Sequence, residues 1–483
     1  MIKHLLTIAV LFAALPFTAT AADEEVDLKR QLLTASAAHI DPLFGYYHNR
    51  SAESIAWELE VNKYNAAYCF AVTPAACSHE LTEALHAHNI SAVLITFPSW
   101  IYLSDEDMDR YLPEKWRSWL MEFTNPEAKK WKFISYVYPE YNEWYAGYLA
   151  NLVKEYGYDG VTMLEMMYPV YDGLKHNPPE FGDISEGFRQ AFERKTGYAV
   201  LPDFTNPDSP DYYKNNPVLM DEFLKFRTES ITNFYGYIMD RVREVNPGVI
   251  IISWALGVSE PDGEDKIRFY NGSDTYSLVE RVQPDIHIIQ THWPDWTNPQ
   301  LPPDYVKRYQ PFIDAARSAC PGVKVGVQSD YGSLPQMRRN LEWVKAHRSA
   351  CDEVLDNFLV YEFSLRDEVY SEAPVLKTAY IDGSGAVLTL VFDQRIAADS
   401  GDLMTGRIIK GAADYTVLSG VVDGNLLKLT LTALPSSGES LTVPVGGIAD
   451  DPSVRLPLSQ HEPKPNGRVN RIPADQNTTL TLP

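Results

Sequence analysis

Tyr158-Asp-Gly-Val-Thr-Met-Leu-Glu165-Met-Met-Tyr-Pro169 reads as an apolar strand that breaks off at a carboxylate among Met and aromatic side chains. The carboxyl end of a buried parallel strand is where α/β barrels hold their reactive groups. Working outward from this stretch, short apolar runs alternate with helix-length amphipathic segments, the pattern of repeated βα units. Eight strands are predicted: Leu43 to His48, Ala67 to Val72, Ala92 to Pro98, Gly160 to Glu165, Val249 to Leu256, Ile286 to His292, Val323 to Asp330 and Phe358 to Phe363. The intervening helices are predicted over Ser51 to Lys63, Ser78 to His88, Glu143 to Tyr156, Glu222 to Val245, Tyr305 to Ala319 and Leu334 to His347. This is the layout of a (β/α)8 TIM barrel, from about Ser36 to Tyr370. A doubly wound open sheet is disfavoured, because no strand is followed by a Gly-rich phosphate turn.

Two long insertions, Ile101 to Asn142 and Tyr168 to Asn215, follow strands and so belong on the face where barrels place their sites. Past Ser371-Glu-Ala-Pro374 the helical period disappears. Alternating runs such as Ala386 to Phe392 and Leu426 to Leu431 predict a small immunoglobulin-like β-sandwich over residues 374–483. All ten Trp lie between Trp57 and Trp343, so the sandwich reads as a structural appendage rather than a sugar platform.

Lys3, the apolar run Leu5 to Phe17 and Ala19-Thr20-Ala21 read as a secretory signal peptide over residues 1–21. The expectation is an exported protein, secreted or periplasmic, with no lipid anchor and no membrane span. A formal net charge of -23 argues against nucleic acid as a partner, since that needs a cationic face. Cys69, Cys77, Cys320 and Cys351 lack metal-ligand spacing; in an oxidising compartment they would form disulfides, with Cys320 to Cys351 the pairing considered, or remain inert buried thiols. No cofactor and no metal are expected: His-x-x-x-His is absent, and Asp105-Glu-Asp-Met-Asp109 lacks the spacing of a calcium loop.

Gathered at one mouth, the strand ends supply Trp, Tyr, Gln, His and carboxylates, a lining suited to a neutral polyhydroxylated ligand. Aromatic rings cover apolar sugar faces while amides and carboxylates take hydroxyls. The substrate-binding candidates are Tyr46, Trp100, Trp254, Gln290, His292, Trp293 and Gln328. Hydrolysis of a glycoside needs two carboxyl groups, one to protonate the leaving oxygen and one to attack or to activate water. Glu165 is the acid/base candidate, because its apolar neighbours would raise its pKa. Asp330 is the first candidate for its partner and Glu362 the rival.

The strand ending in Glu165, then Phe188-Arg-Gln-Ala-Phe-Glu-Arg-Lys-Thr-Gly197, then Asp221-Glu-Phe-Leu-Lys-Phe-Arg227 leading into Ile250-Ile-Ile-Ser-Trp254, resembles the central part of clan-A glycoside hydrolases. The layout is most similar to family-42 β-galactosidases and related glycosidase-like barrels. That resemblance implies a retaining glycoside hydrolase, a Glu acid/base ending the fourth strand, which matches Glu165, and a Glu nucleophile ending the seventh. This chain has Leu164 where the clan usually has Asn, and Asp330 where it has the nucleophilic Glu. A saccharide-binding barrel without catalysis and a polysaccharide lyase are the alternative functions.

Overall fold

The computed structural model describes residues 28–100, 102–124, 132–169, 181–365, 372–382, 387–451 and 469–483; the expected signal peptide and the expected barrel limit at Tyr370 lie outside them. Eight strands close into a barrel: β1 Ser36–Ile40, β2 Ala66–Phe70, β3 Ser91–Thr96, β4 Gly160–Met163, β5 Ile250–Leu256, β6 Ile286–Gln290, β7 Lys324–Asp330 and β8 Asn357–Tyr361. Every pairing is parallel, and β1 meets β8 to complete the ring.

Side chains alternate along each strand, so one set faces the lumen and the other faces the helices. Ala37, Tyr68, Ile95, Trp254, Ile288 and Leu359 belong to the cluster that fills the lumen. Ala38, Cys69, Leu94, Val327 and Val360 join the larger core shared with the helices.

The fourth unit shows how local sequence delivers a residue to the mouth. Helix Pro139–Tyr156 starts with Pro in its first turn and stops at Gly157, whose φ of 69° is the left-handed cap that glycine adopts without cost. Three residues later β4 begins at Gly160, where a Cβ would lie 2.9 Å from Leu32 Cδ2 and 3.3 Å from Ile250 O. The missing side chain lets β4 seat closely against its neighbours.

Three sequence expectations need correction. The first strand is Ser36–Ile40, and Leu43 to His48 is not a strand: Pro42 brings no N–H to a ladder, and Gly45–Tyr47 forms a 3₁₀ turn instead. The last barrel helix runs Leu341–Val354, starting seven residues after the predicted Leu334, because Asn340 accepts from Trp343 N and caps it there. Two helices, Gly263–Asn271 and Thr275–Val282, fill the connection from β5 to β6, for which no helix was predicted.

The second domain has seven antiparallel strands: β9 Leu376–Ile381, β10 Leu388–Phe392, β11 Ile408–Lys410, β12 Asp414–Asp423, β13 Leu426–Leu431, β14 Ser440–Val443 and β15 Thr478–Thr481. Their spatial order is β15-β14-β11-β12-β13-β10-β9. An irregularity between Val417 and Ser419 breaks the register of β12, whose first half pairs with β11 and whose second half pairs with β13. The two halves thus form the layers of a sandwich around Leu390, Phe392, Ile409, Leu429 and Leu441.

All four cysteines are free thiols, so the Cys320 to Cys351 bridge does not form. Cys351 lies inside the last barrel helix, buried, with its Sγ 3.6 Å from His347 Nε2. Among the described residues no helix is long and apolar enough to cross a membrane.

Candidate active site

The carboxyl ends of the strands converge on a group of acids around one phenol. On β7, Val325 and Val327 face the helices, so Gln328 and Asp330 face inward; on β8 the same alternation turns Tyr361 inward, and Glu362 follows just past the strand end. Tyr361 lies within electrostatic reach of Asp330, Glu362, Asp41 and Glu165, and burial together with these four carboxyls pushes its pKa far up. Tyr361 was absent from the sequence candidates. So was Asp41, which caps β1 just before the misplaced first strand; its Oδ1 accepts from Leu43 N at 2.9 Å, and burial raises it to about 6.

Glu165 sits two residues beyond β4 with φ of 56°, a left-handed conformation unusual for a residue with a side chain. That turn takes the chain out of the strand, and Met167 N bonds back to Glu165 O at 2.9 Å. Tyr102, from the first insertion, donates to both carboxylate oxygens at 3.0 Å. Its ring is half exposed while its hydroxyl turns inward onto the acid, and the ring packs edge-on against Phe97 with centroids 4.9 Å apart. Burial raises Glu165 to about 7 despite the opposing bond from Tyr102, so the group holds a proton about half the time at neutral pH.

The other two acids differ in kind. Asp330 Oδ1 accepts from Gly332 N and Ser333 N, both at 3.0 Å, and Oδ2 accepts from Ser333 Oγ. Burial raises its pKa while these donors favour the anion. Glu362 is wholly buried; one oxygen accepts from Tyr47 Oη and the other from Ser364 Oγ, and burial lifts it to about 8. At neutral pH Glu362 is mainly a neutral carboxylic acid.

The structure brings Glu165, Gln290, Gln328 and Asp330 to one rim and separates others from it. Trp254 lies in the lumen, 1% exposed, and its Nε1 donates to Gln290 Oε1 at 3.1 Å, so it orients the amide rather than offering a face. Gln328 Oε1 is buried without a partner among the described residues, as are both ring nitrogens of His39, which lies beneath Tyr361 with ring centroids 5.2 Å apart. His292 and Trp293 follow β6, with Trp293 about half exposed and His292 partly buried; the His292 backbone N–H donates to Tyr309 Oη at 2.7 Å.

Two candidates point elsewhere. Trp100 packs against Trp144 and Tyr148 in the outer wall, with Nε1 donating to Tyr141 Oη at 2.8 Å, and has no open face for a sugar. Tyr46 turns away from the mouth to donate to Glu58 at the boundary with the second domain. Periodicity would have found Tyr361, one residue from the chosen Glu362; nothing local distinguishes Tyr102 within its aromatic insertion. Among the described residues no three His, Cys, Asp or Glu side chains converge as a metal site.

No protein-family model matches the sequence, and no curated protein matches it. Among the solved structures that it resembles are glycoside hydrolases of low identity. A β-galactosidase from the psychrophilic Marinomonas ef1 aligns with a TM-score of 0.47 and 13% identity over 68% of this chain and 53% of its own. The glycoside hydrolase domain of PgaB from Bordetella bronchiseptica gives 0.48 and 10% over 68% and 93%. An endo-β-1,4-mannanase from Thermotoga petrophila gives 0.43 and 7% over 94% and 99%. The chain spans about half the length of the β-galactosidases it matches.

Proposed function

We propose that this protein is an exported glycoside hydrolase that cleaves O-glycosidic bonds of an oligo- or polysaccharide with retention of configuration. Glu165 is the acid/base and Asp330 the nucleophile. The observation that carries the reading is Glu165: a carboxyl at the barrel mouth, raised to about 7, held at both oxygens by Tyr102 and facing a rim that includes the inward-turned Asp330.

In the first step Asp330 attacks the anomeric carbon as Glu165 gives its proton to the departing oxygen, so the glycosidic C–O bond breaks and a glycosyl ester forms. In the second, Glu165 takes a proton from water, the water oxygen bonds to the anomeric carbon, and Asp330 leaves as the carboxylate. Two features favour Asp330 over Glu362 as the anion. Asp330 faces inward at the end of β7 with two amides and a hydroxyl donating to it, whereas Glu362 lies past the end of β8 and is held up at about 8. Gln290 and Gln328 take hydroxyls, and Trp293 offers an exposed ring to an apolar sugar face.

The test is hydrolysis of a panel of aryl glycosides and polysaccharides, with the anomer of the first product read by NMR. Retention and loss of turnover by about a thousandfold in Glu165→Gln are expected. Full activity in that variant would sink the assignment.

A further inference from the structure

The second domain reaches the barrel through a chain of buried polar contacts that ends on Glu362. Arg395, 8% exposed and just beyond β10, donates through Nη1 to Tyr46 O at 2.6 Å and His48 O at 2.8 Å. These carbonyls flank Tyr47, the last residue of the 3₁₀ turn Gly45–Tyr47. The Arg395 backbone N–H also bonds Tyr46 Oη at 3.4 Å, and the guanidinium lies 5.9 Å from the centre of that ring. From the barrel side, Arg50 pairs with Glu58 at 2.6 Å and reaches Asn425 Oδ1, across the boundary, at 2.9 Å. Tyr47, between the two clamped carbonyls, donates to Glu362.

We propose that the second domain is a positioning element of the catalytic barrel: Arg395 fixes the Tyr46-Tyr47-His48 turn so that Tyr47 holds Glu362 and the strand end carrying Tyr361. A turn after β1 has no strand partner of its own to define it. One guanidinium bonding both flanking carbonyls supplies that definition, with charge-assisted bonds in a site shielded from water. The domain therefore has work to do without offering any aromatic face to a sugar. The geometry stands apart from the reaction; its effect on turnover rests on the hydrolase reading above.

The test follows the side-chain carboxyl of Glu362 by ¹³C NMR in the full chain, its signal assigned by Glu362→Gln. The groups that face it are Tyr47 and Ser364, which donate, Asp41 at the end of β1, and Tyr361 beside it. Tyr47→Phe removes a donor that favours the anion, so Glu362 should titrate about one pH unit higher. Arg395→Gln should move it the same way, and the double variant should move it no further than Tyr47→Phe alone. Should the Gln protein not fold, Arg395→Lys answers the same question, since the lysine nitrogen sits one bond nearer the backbone than Nη1, which makes both bonds, and a partial shift is expected. A Glu362 titration left at the parent value in a folded Arg395 variant, or shifts that add in the double variant, overturns the proposal. On a hydrolysed substrate, Arg395→Gln should lower kcat by about tenfold with KM within about twofold. If Glu362 shifts as stated and no glycoside is ever cleaved, the hydrolase reading fails and the positioning role stands.

Discussion

Glu165 and Glu362 show how two identical side chains acquire different tasks from what surrounds them. Both are raised by burial, but Glu165 stands at the rim under a half-exposed tyrosine, and Glu362 is wholly buried between Tyr47 and Ser364. In the proposed role of general acid Glu165 must be protonated, so kcat/KM should fall as pH rises through about 7. Tyr102→Phe removes two bonds that favour its anion; the alkaline limb of the pH–rate profile should then move upward, and an unmoved limb would assign that limb to another group. Asp330→Ala should lose turnover and regain part of it with added azide or formate, small anions that can occupy the vacated position; if Glu362→Ala is the variant rescued, the two roles exchange. The carboxylates were legible because strand ends can be counted. Tyr46 and Trp100 were not, since periodicity locates a residue on an element and leaves the direction of an aromatic ring in a turn to its partners.

At the scale of elements, the reading succeeded where a unit is bounded by strong punctuation. Gly157 ends one helix, Ser51 and Ser78 cap two others, and the strands after them fall within two residues of their expected ends. Gly157→Ala tests the same physics: a methyl group at φ of 69° should cost about 1 kcal/mol, seen as a lower midpoint in urea unfolding. The first strand was misplaced because Ser36-Ala-Ala-His-Ile40 opens with three small residues and has little apolar contrast, while the aromatic Leu43 to His48 mimics a strand although Pro42 and Gly45 break it. The last helix slipped because its start is set by Asn340, six residues after the apolar pattern begins.

For the whole molecule, the buried ionisable groups set a pH window for stability. Between about pH 6.5 and 8, Glu165 at about 7 and Glu362 at about 8 are the raised carboxyls that titrate. Their folded pKa values exceed the unfolded ones, the folded state holds more protons, and stability should fall as pH rises across this range. Thermal melts should show that slope, and Glu362→Gln should flatten it. His39 and His287, buried and lowered to about 3, act oppositely: the unfolded chain takes protons that the folded one refuses, so they withdraw stability as pH falls from about 6.5 towards 3. The division into barrel and sandwich was legible from the change of period near Pro374. The clamp between them was not, because Arg395 and Tyr46 are 349 residues apart and neither belongs to a motif.

The closure of β1 onto β8 has a consequence for how the protein is made. Ala35 N bonds Asn357 Oδ1 across 322 residues, and Tyr47 bonds Glu362 across 315. A chain emerging from the ribosome therefore carries β1 with one open edge until the 322 residues after Ala35, through Asn357, have been synthesised. Through that interval Asp41 and Tyr47 wait for partners, and a nascent chain released early holds half a rim and an unpaired strand, the form that a chaperone or a protease would meet.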